Sequence, residues 1–377
     1  MKKIIVGIIV LAVVVWGGVK LFGTKEEKTK ETIKIGGAFG QTGTCAEWGE
    51  GELKAAQLAI DETNSNGGIN GKLIQLISED TLCDNKTTVS AISKLINVDK
   101  VTAIIGPTWG DSFQAGYPLI RKHKVVSINP STALEALEFQ NQPLDYIFST
   151  WFPQRAEIDA LQKYAFSTGI KKITIVHDQD PFGAMMAGLF KDEAIKNNIV
   201  ILEEHSLITG NSDFRTIIAK IKSNMPDGIF VSFLGPEEKV KFLKQIRELG
   251  INTTVFSSAD FQNEGLLSSL GSFMEGVIYS YPKISGNYQN FIDKYTAKYG
   301  VKPQGPSVPN AYDAARALIE ALKYGVSAGD EIQNQLSKIK IPGTVVSELS
   351  FSEITHQING GDFEIKTVRN NKFKTVK

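Results

Sequence analysis

Two short stretches carry the side chains best suited to chemistry, Gly110-Asp111-Ser112 and Ser131-Thr132. Both are small and polar, and each follows a short apolar run. The first follows Ala103-Ile104-Ile105 and the break Gly106-Pro107; the second follows Val125-Val126-Ser127-Ile128 and the break Asn129-Pro130. Apolar runs of that length read as buried parallel strands. The residues between them, 113–122, carry apolar positions at helical spacing and end in Arg and Lys, as a helix C-terminus prefers. In an open α/β sheet, ligands sit outside the carboxyl ends of the strands. Hydroxyls and free backbone N–H groups at helix starts favour an anion. The chemistry expected here is the seating of a carboxylate; the alternative is two ordinary strand-to-helix turns.

The elements that must position these loops alternate along the chain. A strand at 33–39 leads to a helix near 49–66. Asn66-Gly67-Gly68 begins a turn. A strand at 73–77, a helix at 85–97 and a strand at 101–105 follow. A second series begins at 173–177, with helices at 182–197, 213–223 and 236–249, and strands at 199–203, 228–233 and 254–257. Helices at 287–300 and 310–325 come next, then strands over 345–351, 362–368 and 372–376. Two similar series predict two α/β lobes, each built on a mostly parallel sheet.

Length and composition fit that reading. A chain of 377 residues, 42% hydrophobic and 22% charged, has enough apolar content for large cores. Lys+Arg 41 balance Asp+Glu 41, and no basic, aromatic-rich face is visible, so nucleic acid is not an expected partner. His123, His177, His205 and His356 are scattered, which gives no metal-ligand spacing. No Gly-x-Ser-x-Gly elbow or phosphate-binding Gly-Lys-Ser/Thr loop occurs, and Gly37 to Gly43 misses the dinucleotide spacing, so neither an enzyme nor a cofactor is expected.

The N-terminus stands apart. Lys2-Lys3 precedes an apolar run over residues 4–22, interrupted once by Lys20. Residues 1–23 read as a membrane anchor or signal peptide, and 24–32, rich in Lys, Glu and Thr, as a linker. An A-x-A-like cleavage site is missing, which favours an anchor, with Lys2 and Lys3 inside and the rest outside the cytoplasm. An exported chain can hold a disulfide. Cys45 and Cys83 follow the first two strands, normally neighbours in such a sheet, and are expected to pair; two free thiols are the alternative.

Nine segments in order resemble the branched-chain amino acid (leucine/isoleucine/valine) type of periplasmic solute-binding protein. They are IKIGGAFGQTG, AAQLAIDETNSNGGINGKLIQLISED, AIIGPTWGDSFQA, INPSTA, HDQDPFG, DFRTIIAKIKSNMPDGIFV, FLKQIRELGI, MEGVIYSYP and AYDAARALIEAL. The resemblance runs from Ile33 nearly to the end. It implies two Rossmann-like lobes, the type I periplasmic-binding fold, joined by a hinge of three crossovers. On that basis lobe one takes 33–149 plus 284–347, and lobe two 150–283 plus 348–377. It also implies an extracytoplasmic monomer that captures an amino acid or related small carboxylate and delivers it to an ABC transporter permease. A ligand-sensing receptor ectodomain could use the same clamshell, although no signalling segment follows.

The resemblance also assigns residues. Gly110 stands where the family usually carries a carboxylate-binding Ser, with Asp111 and Ser112 beside it. Ala133 takes a Thr position, so Thr132 is expected to substitute, next to Ser131. Asp260 aligns with the acid that receives a ligand ammonium. Trp48, Phe182 and Leu234 align with pocket walls, and Trp109 and Trp151 are further aromatics near the same loops. Ser149 stands where an Arg is usual.

Overall fold

The structure is a computed structural model that describes residues 32–376 apart from 139, 140, 234, 285 and 286. The expected N-terminal anchor, almost all of the linker, and Leu234 lie outside the described residues. No described helix is long and apolar enough to cross a membrane.

Two sheets organise residues 33–376. The first contains β1 (Ile33–Phe39), β2 (Ile74–Asp80), β3 (Ala103–Ile105), β4 (Val126–Asn129) and β5 (Ile147–Ser149), in the order β2-β1-β3-β4-β5. All its pairings are parallel. The second contains β6 (Lys172–Asp178), β7 (Val200–Leu207), β8 (Gly228–Ser232), β9 (Thr254–Ser257) and β10 (Ile278–Pro282). Its parallel part runs β10-β9-β8-β6-β7, the same winding as the first sheet. Two late strands, β13 (Phe363–Val368) and β14 (Phe373–Thr375), extend it antiparallel beyond β10. The chain changes lobe three times, after β5, after β10 and before β13, and these passes make the hinge. Leu349, Phe351 and Ile358 pack in the lobe-one core, which corrects the expected place of 348–358 in lobe two.

The parallel order has a reversal point in each lobe, between β1 and β3 and between β6 and β8. Loops leaving the carboxyl ends of those strands diverge to opposite sides and leave a crevice. Their sequences explain why the strands stop there. Gly106 holds φ +106, and a Cβ on it would lie 2.3 Å from the Ala38 carbonyl oxygen. Only glycine lets β3 end that close to β1.

Helices cover both sheets. In lobe one they are α1 (Ala46–Ser65), α2 (Asn85–Asn97), α3 (Gly110–His123) and the short α4 (Glu135–Glu138). Lobe two has α5 (Gln154–Ser167), α6 (Pro181–Lys196), α7 (Arg215–Asn224), α8 (Pro236–Glu248) and α9 (Glu264–Leu270); α10 (Tyr288–Tyr299), α11 (Val308–Leu322) and α12 (Gly329–Leu336) return to lobe one. The Asp84 carboxylate caps α2 by accepting the Thr87 N–H at 2.8 Å, and Asp180 caps α6 by accepting the Phe182 N–H at 2.9 Å. Such caps stabilise a helix by about 1 kcal/mol each. Lobe one has one continuous apolar core around Ile104, Phe148 and Leu318; lobe two has a cluster on either face of its sheet, around Val231 and around Phe190.

The expected strand over 345–351 is a correction. Only Glu348–Leu349 forms a strand (β12), paired with Ile341–Pro342 (β11), and Phe351 makes an isolated bridge to Ile358. The Asp313 carboxylate takes the N–H groups of Thr344 (2.7 Å) and Val345 (3.3 Å), which removes donors a ladder would use. Helix α5 was not expected; its buried face mixes Ile158, Leu161 and Ala165 with Gln154, Glu157 and Gln162, which breaks up the apolar stripe that marks a helix.

Candidate functional site

The loops at the carboxyl edge of the lobe-one sheet are tied together first. Cys45 and Cys83 form the expected disulfide, linking the loop after β1 to the loop after β2. This fixes the start of α1, and with it Trp48. One turn on, Glu52 is fully buried. Its carboxylate accepts from the hydroxyls of Thr108 and Ser307, each at 2.6 Å. Burial pushes its carboxyl upward, opposed by hydrogen bonds from Ser307, Thr108 and Ser131. The Ser131 hydroxyl also accepts the Trp109 N–H at 3.1 Å. Ser131 therefore braces the loop between β3 and α3.

That bracing leaves the first turn of α3 open. Trp109 precedes the helix with φ +68 and no side chain caps it. The first N–H groups of any α-helix lack an intrahelical partner, and the dipole makes that end positive. Two hydroxyls lie beside it. Ser112 is 1% exposed and Thr132 8% exposed, yet neither hydroxyl oxygen has a hydrogen-bond partner among the described residues. A buried polar group without a partner costs about 1–3 kcal/mol. A carboxylate oxygen would satisfy either hydroxyl. Gly110 lies beside it: a Cβ there would make ordinary contact with Thr132 at 3.5 Å. Asp111 contributes its place in the helix backbone; its side chain lies outside the described residues.

An indole wall borders this seat. Trp48 lies 6.2 Å from Trp109 and 6.0 Å from Trp151, centroid to centroid. All three are half-buried. They come from α1, from the start of α3 and from the first crossing, so only the folded chain assembles them.

Lobe two offers different chemistry. Asp260 sits just beyond the carboxyl end of β9. Its carboxylate accepts from the Ser258 hydroxyl at 2.6 Å and from the ammonium of Lys239. Lys239, in the first turn of α8, is buried. Its sequence context, Pro236-Glu237-Glu238-Lys239, reads as a solvated helix start, so sequence reasoning missed it. Phe182 is half-buried and packs against the lobe-two core, with its N–H held by Asp180. At the end of β8, the buried Ser232 hydroxyl has no hydrogen-bond partner among the described residues.

A polar chain joins the lobes beside the hinge. Glu135, three residues after Thr132, accepts the Arg155 N–H at 3.1 Å. Glu157, in the same first turn of α5, accepts the Ala259 N–H at 2.6 Å and the Ser280 hydroxyl at 3.2 Å. Burial pushes Glu157 from 4.5 up to about 8, with the charges of Asp260 and Glu135 adding to the rise. Sequence reasoning named neither Glu52 nor Glu157, since a Glu on a helix gives no sign of burial.

A profile of the periplasmic binding protein family matches residues 32–369. The chain belongs to that family. The Leu/Ile/Val-binding protein of Escherichia coli is 26% identical over 333 residues, 86% of this chain and 87% of the relative. Among solved structures, the branched-chain amino acid transporter substrate-binding protein of Streptococcus pneumoniae, in complex with isoleucine, is 26% identical. It aligns with a TM-score of 0.75 over 92% of this chain and 99% of that one. A solute-binding protein of an ABC transporter from Rhodopseudomonas palustris, in complex with 3,4-dihydroxybenzoic acid, is 25% identical. Its TM-score is 0.73, over 90% of this chain and 93% of that one. The chain is thus a type I periplasmic binding protein of the branched-chain amino acid transporter family, a solute-binding component that works outside the cytoplasm. Members of this family are binding proteins rather than enzymes.

Proposed function

We propose that this periplasmic binding protein holds an amino acid or related small carboxylate between its lobes without chemical change and presents it to an ABC transporter permease. The unpartnered, buried hydroxyls of Ser112 and Thr132 at the open end of α3 carry the reading. They complete their hydrogen bonding only when an acceptor arrives, and the helix end favours an anion. Gly110 and the backbone of Asp111 complete the seat, and Ser131 holds it in shape. Trp48, Trp109 and Trp151 form its apolar wall, with Phe182 on the lobe-two side. Asp260 faces the other end of the ligand. A ligand touching both lobes favours closure by its differential affinity for the closed state. The chain acts as a monomer, tethered by residues 4–22.

A thermal-shift screen of amino acids and small carboxylates, each beside its neutral amide, tests this. Saturating ligand at a hundredfold excess over Kd stabilises by about 2.7 kcal/mol. Stabilisation by the acid and not by its amide is expected. Stabilisation by amides with no response to any acid would refute the carboxylate seat.

A further inference from the structure

Asp260 is the anionic side chain placed to meet the lobe-two end of a ligand, and it already has a cation. Lys239 reaches it from α8, and the Lys239 side chain is only 5% exposed against 32% for Asp260. The ammonium therefore lies beneath the carboxylate, on the protein side. Its hydrocarbon stem is packed in, and its charge sits 5.6 Å from the Phe261 ring centroid, a favourable cation–π distance. The pair is built into the lobe and needs no ligand to form.

We propose that Lys239 takes the place of a ligand ammonium at Asp260, so that the cleft selects hydroxy acids over the matching α-amino acids. This rests on the carboxylate reading given above and names the ligand class within it.

The argument is one of charge and hydrogen-bond capacity. A ligand ammonium must shed strongly held water to enter a closed cleft, and only a net opposite charge offsets that cost. Asp260 is neutralised by Lys239, so the pair offers none. An ammonium on Asp260 would also stand close to a like charge. Glu157, whose carboxyl feels the charge of Asp260, is buried against the Ala259 N–H and keeps its proton up to about 8. It therefore adds no negative charge at neutral pH. A neutral hydroxyl has no such requirement. Each carboxylate oxygen of Asp260 has one donor, from Ser258 or Lys239, and retains a lone pair. The exposed edge of Asp260 can accept a hydroxyl proton there. The ligand carboxylate goes to α3 and its apolar body to the indole wall.

Calorimetry on the purified full-length protein with matched pairs tests this: leucine against 2-hydroxy-4-methylpentanoate, phenylalanine against 3-phenyllactate, and tryptophan against indole-3-lactate. Within a pair only the amino or hydroxyl group differs. In the wild type the hydroxy acid of at least one pair should bind about tenfold or more tighter than its partner. Lys239→Met, which frees Asp260, should abolish or reverse that preference. Should this variant not fold, Lys239→Gln removes the charge at similar length, and the wild-type comparison needs neither. Equal or tighter binding of the amino acid in every pair that binds would overturn the inference and leave the carboxylate seat standing. A hydroxy-acid preference unchanged in a folded Lys239 variant would overturn the role of Lys239. Binding by no member of any pair would overturn this inference, while the acid-against-amide screen decides the carboxylate seat separately.

Discussion

Removing a hydroxyl from the seat should move stability and affinity in opposite directions. Ser112 and Thr132 are buried, and their hydroxyl oxygens have no hydrogen-bond partner among the described residues. Burial without a partner in the protein costs each about 1–3 kcal/mol. Thr132→Val replaces the hydroxyl by a methyl of similar size and should stabilise the free protein by about 1 kcal/mol. For a chain of this size that is a rise in Tm of about 2 °C. Ser112→Ala should do at least as well, because alanine also has the higher helix propensity by up to about 0.5 kcal/mol. Thr132 lies in a loop, outside any helix, so its variant isolates the desolvation effect. In the proposed carboxylate complex the same hydroxyl would donate to the ligand, a bond that contributes about 1.5–3 kcal/mol. Each variant should therefore weaken a carboxylate ligand roughly ten- to hundredfold. Thermal melts without ligand and calorimetry with it read the two signs separately. A free protein that melts lower together with an unchanged Kd would mean that the hydroxyls serve packing, and the seat would have to lie elsewhere.

Two further predictions concern the frame around the seat. Glu157 keeps its proton to about 8 in the fold, against the ordinary 4.5 of a glutamate in the unfolded chain. Between those values the unfolded state binds fewer protons than the native state, so this group lowers stability as pH rises through that window. The penalty reaches at most about 5 kcal/mol above it. Glu157→Gln should flatten the fall in Tm between about pH 5 and 8, and parallel curves for the two proteins would contradict the assignment. The Cys45–Cys83 disulfide closes a loop with a sequence separation of 38, which corresponds to about 4 kcal/mol in the chain-entropy model. Reduction, or Cys45→Ala with Cys83→Ala, should lower the denaturation midpoint accordingly and loosen the indole wall, read as a shift in tryptophan emission; an unchanged midpoint would show that the bond does not carry this stability.

Most of the strand-and-helix order, the two-lobed α/β class and the loops after β3 and β4 were legible in the sequence. The reason is local: apolar runs of strand length, helical periodicity and the breakers Gly106-Pro107 and Asn129-Pro130 act over a few residues. The neighbouring places of Cys45 and Cys83 also followed, because sequential strands in such sheets usually lie close to each other. Tertiary structure decided what those residues have left to give. Ser131 is used up by Trp109 and Glu52, whereas Ser112 and Thr132 are not, and nothing in a Ser or Thr letter records which neighbours arrive. Asp260 could be placed at a strand end from the sequence, but its charge could not be counted. Its partner Lys239 lies 21 residues away and joins it only when α8 packs beside the end of β9. Ion pairing, burial and the gathering of Trp48, Trp109 and Trp151 depend on distances between segments remote in sequence, and those distances exist only once both sheets have formed.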